Sequence, residues 1–300
     1  MGIFIDVVLP VILIFVVGYV VQKWKRMDIK SISTVAIYIM TPCLIFNVFY
    51  DAVLDFNYLY MVIFSMVLLY GIIFINKLYV KIKKYDQSTE SGLILSTAFM
   101  NSGNYGAPII LFAYGELGFA YSISFMVLQA IIMNFYGIYY AARGQASVSY
   151  AFKSVLKMPA TYAVIVALFM NLTSVSVPAN FMSAIDLVAA ATIPTVMLIL
   201  GMQLAEIKWS GFDWGKITYG TVTRLVISPI LAFIIILLSP FELDPVLVNV
   251  LIVSAAMPAA ATTTMYAVQF NSEPKLVSSI TLVTTAISVL TITLLLTVLQ

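Results

Sequence analysis

The sequence predicts an all-α membrane protein: ten transmembrane helices form two inverted five-helix repeats, with broken crossover helices 4 and 9. Composition, proline spacing and one paired interruption of the apolar pattern lead to this fold class. Of the 300 residues, 62% are hydrophobic and 9% are charged, and the mean hydropathy is +1.06. An ordinary soluble domain carries roughly 25% charged residues. Most of the chain is therefore expected to lie inside a bilayer.

Ten apolar stretches approach the length of roughly twenty residues that crosses a bilayer. Their centres lie near Leu13, Met40, Val67, Asn101, Ala130, Val164, Val196, Val226, Met257 and Thr285. These predicted spans 1 to 10 leave no room for a separate soluble domain. The first stretch has no basic leader and is followed by basic residues, which indicates a retained span rather than a signal peptide.

The basic residues predict the orientation of the spans. Fourteen of the 15 Lys and Arg residues fall in the connections after spans 1, 3, 5, 7 and 9. The remaining connections carry acidic residues and no basic ones. The positive-inside rule places the basic connections in the cytoplasm. A multi-pass protein of the inner (plasma) membrane with both termini on the non-cytoplasmic side is expected, and the fifteenth basic residue, Arg224, lies inside span 8.

Prolines recur at an offset of half the chain, which indicates an internal repeat. Pro10 and Pro159 differ by 149 positions, Pro42 and Pro194 by 152, and Pro108 and Pro258 by 150. Each copy has five spans, an odd number, so the second copy enters the membrane from the opposite side, as in many secondary transporters. We predict a first repeat in 1–142, a cytoplasmic linker in 143–158 and a second repeat in 159–300. The alternative is that prolines are simply common in membrane helices.

Spans 4 and 9 are interrupted in the same way. Residues 96–111 read STAFMNSGNYGAPIIL, and residues 253–265 read VSAAMPAAATTTM. Proline and glycine break helices, and broken backbone persists at membrane depth only where it faces protein or a water-filled cavity. Paired interruptions of this kind indicate the substrate site of a secondary transporter. Pro108 and Pro258 are each expected to begin a new half-helix, because the first helical residue needs no N–H partner.

Two helix starts near the midplane would form an anion site, since each carries roughly half a positive charge and free N–H donors. The predicted substrate-binding residues lie at the breaks or are polar residues in neighbouring spans: Asn101, Gly103, Asn104, Gly106, Pro108, Gln129, Asn134, Arg224, Pro258, Thr262 and Thr263. Alternatively, the polar residues at the breaks only satisfy freed backbone groups. Gln129 and Asn134 are more often contacts between helices than ligands.

Arg224 has three interpretations at this stage. The side chain neutralises an anionic substrate, or it caps the C-terminal end of a broken half-helix, where a cation is favoured. In the third interpretation it reaches toward cytoplasmic water along its apolar stem. An isolated charge at this depth is by default functional.

The residue types that are absent exclude several functions. The chain has no His and a single Cys43, so we expect no metal site, no redox cofactor and no intramolecular disulfide. Without a nucleophile–base pair, we expect no enzyme, and the sequence shows no nucleic-acid or nucleotide motif. No Asp or Glu lies in the middle of a span, which argues against a proton antiporter of cations and favours an anionic cargo.

Several motifs resemble the auxin efflux carrier family. In span 4, Asn101, Gly106-x-Pro108 and Tyr114-Gly115 are similar to the family pattern N…G-x-P…Y-G. Further matches lie at Val127-Leu128-Gln129, at Arg224-Leu225 with Pro229, at residues 257–271 and at residues 41–46. The chain resembles a short bacterial member of this family along nearly its whole length. The family is similar to the inverted-repeat superfamily of the bile-acid/sodium symporters.

The resemblance implies a scaffold domain from helices 1, 2, 6 and 7 and a transport domain from helices 3–5 and 8–10. It also implies elevator-type alternating access for small organic anions, such as auxin or dicarboxylates. Asn134 stands where many plant members have an aromatic residue, which argues against auxin itself. The prediction is a secondary carrier of carboxylates, a homodimer in the lipid bilayer, without a cofactor and with coupling to H+ or Na+ left open. The alternatives are a sodium-coupled symporter and a membrane sensor that does not transport.

Overall fold

The structure, a computed structural model, describes residues 2, 4–52, 55–142, 153, 156–206 and 213–299. The helices in these ranges are α1 (Phe4–Lys25), α2 (Ile29–Tyr50), α3 (Phe56–Lys83), α4 (Gln87–Thr97), α5 (Ser102–Ala141), α6 (Pro159–Leu172), α7 (Ala179–Ala205), α8 (Trp214–Leu237), α9 (Pro245–Ala255), α10 (Ala261–Gln269) and α11 (Pro274–Leu299). The described residues form no strand, only one isolated bridge between two chain segments.

Seven helices of the described chain are long and apolar enough to cross a membrane: α1, α2, α3, α5, α7, α8 and α11. The predicted all-helical, multi-pass membrane fold is thereby confirmed. Helices α6 and α9 are apolar but shorter. The count of ten spans and the inverted repeat stay predictions. In the predicted linker, residues 143–152 and 154–155 lie outside the described residues, as do both terminal residues.

Wide helical turns precede four of the five prolines that lie inside the described helices, the exception being Pro194 of α7. Four of the five π-helical segments in the described residues end two positions before a proline: Phe4–Val8 before Pro10, Ala36–Met40 before Pro42, Ser102–Gly106 before Pro108, and Thr223–Ile227 before Pro229. Proline has no N–H, and its ring crowds the carbonyl four residues earlier. A turn with i→i+5 hydrogen bonds accommodates both defects without ending the helix.

Pro108 shows that one expectation from the sequence is wrong. Helix α5 begins with the π-helical turn Ser102–Gly106 and becomes α-helical at Ala107, so Pro108 is not the first residue of the half-helix. The wide turn of Ser102–Gly106 carries the chain helically into the proline. The helix bends farther along, at Gly115, which adopts φ 64° and ψ −160°. Positive φ of this kind is readily adopted only by glycine.

The chain divides into two compact units. Unit 1 comprises Met1–Asp55, Gly103–Val127 and Lys153–Ile207, and unit 2 comprises Phe56–Ser102, Leu128–Phe152 and Lys208–Gln300. Unit 1 therefore contains α1, α2, α6 and α7, the helices predicted as the scaffold, together with part of α5. The division into scaffold and transport domains stays a prediction.

In unit 1, α1 and α7 approach so closely that only glycine fits at two positions. A Cβ atom on Gly18 would lie 2.2 Å from the carbonyl oxygen of Leu198, and one on Gly201 would lie 2.0 Å from the carbonyl oxygen of Phe15. Small residues allow this backbone approach in membrane helices, where the hydrophobic effect gives no drive for helices to associate.

Two helices of unit 2 end in segments that are buried on all sides. Every residue of the ranges 91–102 and 250–260 is buried, which includes the ends of α4 and α9. The α4 residue Leu93 belongs to an apolar cluster with Ile217 of α8 and Ile280 of α11. These two buried helices end at the candidate site.

Candidate functional site

The two interrupted helices meet in unit 2 through their backbones. Helix α4 ends at Thr97 and α9 ends at Ala255. The segments that follow, residues 98–101 (the first break) and residues 256–260 (the second break), pair in antiparallel fashion. The Asn101 N–H donates to the carbonyl of Pro258 at 2.8 Å, and the Ala260 N–H donates to the carbonyl of Phe99 at 3.0 Å. Backbone groups that no helix uses are thus satisfied by the opposite break.

Pro258 does not begin a half-helix, so the second expectation of this kind is also wrong. Helix α10 begins at Ala261, and Pro258 lies in the extended segment before it. The second break is extended because its backbone groups form hydrogen bonds with other segments and not along a helix. The Pro258 carbonyl accepts from the first break, and the Ala259 N–H donates to Thr284 Oγ1 at 3.2 Å. Pro258 suits this position because it has no N–H to satisfy.

The Arg224 guanidinium joins the ends of both interrupted helices. Nη1 donates to the carbonyl of Thr97 at 2.7 Å, and Nη2 donates to the carbonyl of Ala255 and, at 2.6 Å, to Ser228 Oγ. The last carbonyls of a helix lack partners and carry partial negative charge. Of the three interpretations of Arg224, capping describes these contacts. The interpretation in which it reaches water is wrong, because the side chain is 0% exposed.

Two buried polar residues complete the arrangement around Arg224. Ser228 Oγ donates to the carbonyl of Ala255 at 2.8 Å while it accepts from the guanidinium. Asn76 of α3 donates from Nδ2 to Thr97 Oγ1 and to the carbonyl of Ile72, both at 2.8 Å. Sequence reasoning missed both residues. The signals were Ser228 one helical turn after Arg224 and an Asn inside the apolar stretch of α3.

The Asn101 side chain and the start of α10 have hydrogen-bond donors that are not paired within the described part of the chain. Asn101 is 8% exposed, and its side-chain amide forms no hydrogen bond with the described part of the chain. No side chain caps the start of α10, whose N-cap residue is Ala260, and the first N–H groups of a helix lack partners inside it. Thr262 in this first turn is half-buried. Thr263, in contrast, is satisfied, because its Oγ1 donates to the carbonyl of Ala260 at 2.7 Å.

Gln129 and Asn134 are engaged in contacts between helices of unit 2. Gln129 Nε2 donates to Ser65 Oγ of α3 at 3.0 Å. Asn134 Nδ2 donates to the carbonyl of Ala130 at 2.8 Å, and its Oδ1 accepts from the Tyr266 hydroxyl of α10 at 2.9 Å. These bonds match the alternative in which the two amides join helices. Their role toward a substrate stays a prediction.

Four predicted site residues belong to unit 1: Gly103, Asn104, Gly106 and Pro108. Gly103 and Asn104 are half-buried, whereas Gly106 and Pro108 are buried. A Cβ atom on Gly103 would lie 2.7 Å from Met126 Sδ, near the end of a flexible side chain. The structure thus brings together Asn101, Pro258 and the start of α10 in unit 2 and leaves these four residues in unit 1.

The helices and the paired breaks define a class of protein. Long apolar helices, interrupted backbone in the interior and a buried arginine are typical of multi-pass membrane transporters. The family model described as "Membrane transport protein" matches residues 3–296. The chain therefore belongs to this family, that of the auxin efflux carriers, and the resemblance drawn from the motifs is confirmed.

Two archaeal relatives share this length. An uncharacterized transporter of Methanocaldococcus jannaschii is 30% identical over 305 residues, which cover 96% of each chain. An uncharacterized transporter of Methanothermobacter thermautotrophicus is 24% identical over 295 residues, again 96% of each chain. The family and these relatives point to transport rather than catalysis.

Proposed function

We propose that the protein is a secondary transporter of small organic anions, with carboxylates as the substrate class. Family membership supports a transporter. The observation that supports an anion is the set of open donors at the paired breaks, namely the Asn101 amide and the uncapped start of α10. A carboxylate is an acceptor that such N–H groups bind well.

The electrostatics of the site also favour a negative ligand. The start of α10 carries partial positive charge, and the Arg224 guanidinium lies in the same unit without contact to water. Charges interact more strongly in a buried setting than in water. The N–H groups of Arg224 that bond to Thr97, Ala255 and Ser228 hold it in place, so we assign it the role of offsetting the two helix ends rather than direct contact with the substrate.

The proposed mechanism is elevator-type alternating access with the substrate at the breaks. The paired breaks, Arg224 and Thr284 all belong to unit 2. A site contained in one compact unit can move with that unit as a single body, which is what an elevator mechanism requires. The homodimer through α1, α2, α6 and α7 rests on the family resemblance.

A thermal-shift screen with purified protein tests the substrate class and the site. Small mono- and dicarboxylates are added to the wild type, to Asn101→Ala and to Asn180→Ala, which replaces an exposed asparagine of α7 as a matched control. A ligand present at 100 times its Kd stabilises the native state by about 2.7 kcal/mol. We expect one carboxylate class to raise the Tm of the wild type and of Asn180→Ala. For Asn101→Ala the rise in Tm should be at least tenfold smaller.

Uptake into proteoliposomes then separates transport from sensing. The carboxylate that stabilises the protein should accumulate inside vesicles that contain the wild type, and more slowly in those with Asn101→Ala. Binding without uptake would favour the membrane sensor. The absence of any carboxylate effect on Tm would contradict the proposed anion.

A further inference from the structure

We propose that the Arg224 guanidinium permanently occupies the position at the breaks that a coupling cation would need, so that transport requires no bound Na+. The part of the inference that concerns transport rests on the proposed carrier function. The contacts that support it are independent of any substrate, and so is its first test.

The ends of α4 and α9 create a need for positive charge. Both helices end in the buried interior of unit 2, at Thr97 and at Ala255. Each end carries roughly half a negative charge and carbonyl oxygens without helical partners. In transporters with interrupted helices, such carbonyls and helix ends coordinate the coupling cation. Two ends together match one monovalent cation.

The guanidinium already uses these oxygens. It bonds to the carbonyls of Thr97 and Ala255 and to the hydroxyl of Ser228, which are three oxygens suited to a hard cation. Within the described ranges, no carboxylate lies within ion-pair distance of Arg224. The helix ends are therefore the partners that offset its charge.

A tethered cation differs from a bound one because it cannot leave. Arg224 is held by the backbone of α8, inside the wide turn Thr223–Ile227. A cation gradient cannot be coupled through a position from which the charge never dissociates. Between the two kinds of carrier predicted from the sequence, this arrangement favours the one that does not depend on sodium.

The first test measures the Tm of ligand-free protein in NaCl, KCl and choline chloride at equal ionic strength. We expect the wild type to show the same Tm in all three salts. Arg224→Gln removes the charge and retains hydrogen bonding, and Arg224→Lys retains the charge. We expect Arg224→Gln to lower Tm by on the order of 10 °C and Arg224→Lys to lower it clearly less. Lys275→Gln, which removes an exposed cation of α11, serves as the control.

Chemical rescue makes the test specific for the position. Arg224→Ala leaves a vacancy at the two helix ends, and millimolar methylguanidinium or Na+ should raise its Tm in a saturable way. Neither ion should do so for the wild type. If Arg224→Ala does not fold, two results still test the inference. They are the Tm of the wild type in the three salts and the difference in Tm between Arg224→Lys and Arg224→Gln.

Three results would overturn the inference. They are a saturable gain in wild-type Tm with Na+, equal Tm values for Arg224→Lys and Arg224→Gln, and the same rescue of the wild type as of Arg224→Ala. In proteoliposomes, carboxylate uptake by the wild type should persist when choline replaces Na+, and uptake that requires Na+ would also overturn it. If no anion is taken up at all, the proposed function fails while the Tm result stands on its own.

Discussion

Two places in this protein bring backbones unusually close, and they achieve it by opposite means. In unit 1, α1 and α7 touch at Gly18 and Gly201, where the helices stay regular and side chains are simply absent. In unit 2, the two breaks leave the helical conformation and pair through hydrogen bonds, with Arg224 between the helix ends. The glycine contact fixes the distance between two helices but has no polar group that could bind a ligand. The paired breaks retain hydrogen-bond donors that are not used within the part of the chain that the structure describes, and they are therefore the candidate site.

The largest effect is expected when a side chain is added at the glycine contact of α1 and α7. In Gly201→Ala the new Cβ would lie 2.0 Å from the Phe15 carbonyl oxygen, a backbone atom that moves only if a helix moves. We expect a loss of about 3 kcal/mol in the free energy of unfolding, at the upper end for overpacking. Gly215→Ala is the matched control, because its Cβ would lie 3.5 Å from an Asp213 side-chain oxygen.

Thermal or denaturant unfolding of the purified variants measures this difference. Gly215→Ala should be neutral or slightly stabilising, since alanine favours a helix over glycine by about 0.5–1 kcal/mol. Equal stability of the two variants would show that α1 and α7 are free to separate, contrary to the close contact.

A smaller effect is expected when one hydroxyl is removed from the polar contact in unit 2. In Ser228→Ala the carbonyl of Ala255 loses one donor, and Arg224 Nη2 loses an acceptor. Buried groups left without partners cost roughly 1–3 kcal/mol, and we expect about 1.5 kcal/mol here because Arg224 still reaches Ala255. Ser183→Ala is the control, since Ser183 is exposed and bonds only within α7.

A comparison of the melting temperatures of these two variants checks the prediction. A loss with Ser183→Ala as large as that with Ser228→Ala would contradict the role of Ser228 at the helix ends.

The smallest effect is expected at the other end of α4. Asp86 caps the start of α4 and accepts from the Thr89 N–H at 3.0 Å. Hydrogen bonds from the Thr89 side chain and backbone lower the pKa of Asp86 from 3.8, with a smaller effect of Lys216. A lowered pKa in the folded state means that the cap stabilises fully above the ordinary pKa and that this contribution is lost as the pH falls through the lowered value.

Asp86→Ala should therefore cost about 1 kcal/mol at pH 7, and the difference from the wild type should shrink below roughly pH 4. Denaturant unfolding at pH 7 and at pH 3 measures both values. A difference that stays constant over this range would show that the ionised carboxylate contributes nothing at this position.

Both interrupted helices have the same arrangement of charge from end to end. Asp86 caps the start of α4, and Asp244 caps the start of α9, where it accepts from the Val246 N–H at 2.7 Å. Arg224 bonds to the last carbonyl of each. Negative charge at the start and positive charge at the end both complement the helix dipole. This likeness of α4 and α9 supports the predicted repeat.

The sequence predicted the membrane class and the location of the breaks, because long apolar stretches and helix-breaking residues are local signals. It also predicted that Arg224 could cap a half-helix. It did not indicate that one side chain caps two helices, since Thr97 and Ala255 lie 127 and 31 positions away. The roles of Pro108 and Pro258 were wrong for a related reason. Whether a proline begins, bends or interrupts a helix depends on which groups satisfy the neighbouring backbone.

The wide turns before four of the prolines have a consequence for the directions in which side chains point. Each i→i+5 turn holds one more residue than a regular turn, which shifts the helical phase by about 100°. The segment Thr223–Ile227 contains Arg224, so a helical wheel drawn through α8 as a regular helix misaligns its two halves. Deletion of one residue from this segment would restore the regular phase and turn Arg224 away from Thr97 and Ala255. The direction of the Arg224 side chain therefore depends on a single extra residue of backbone.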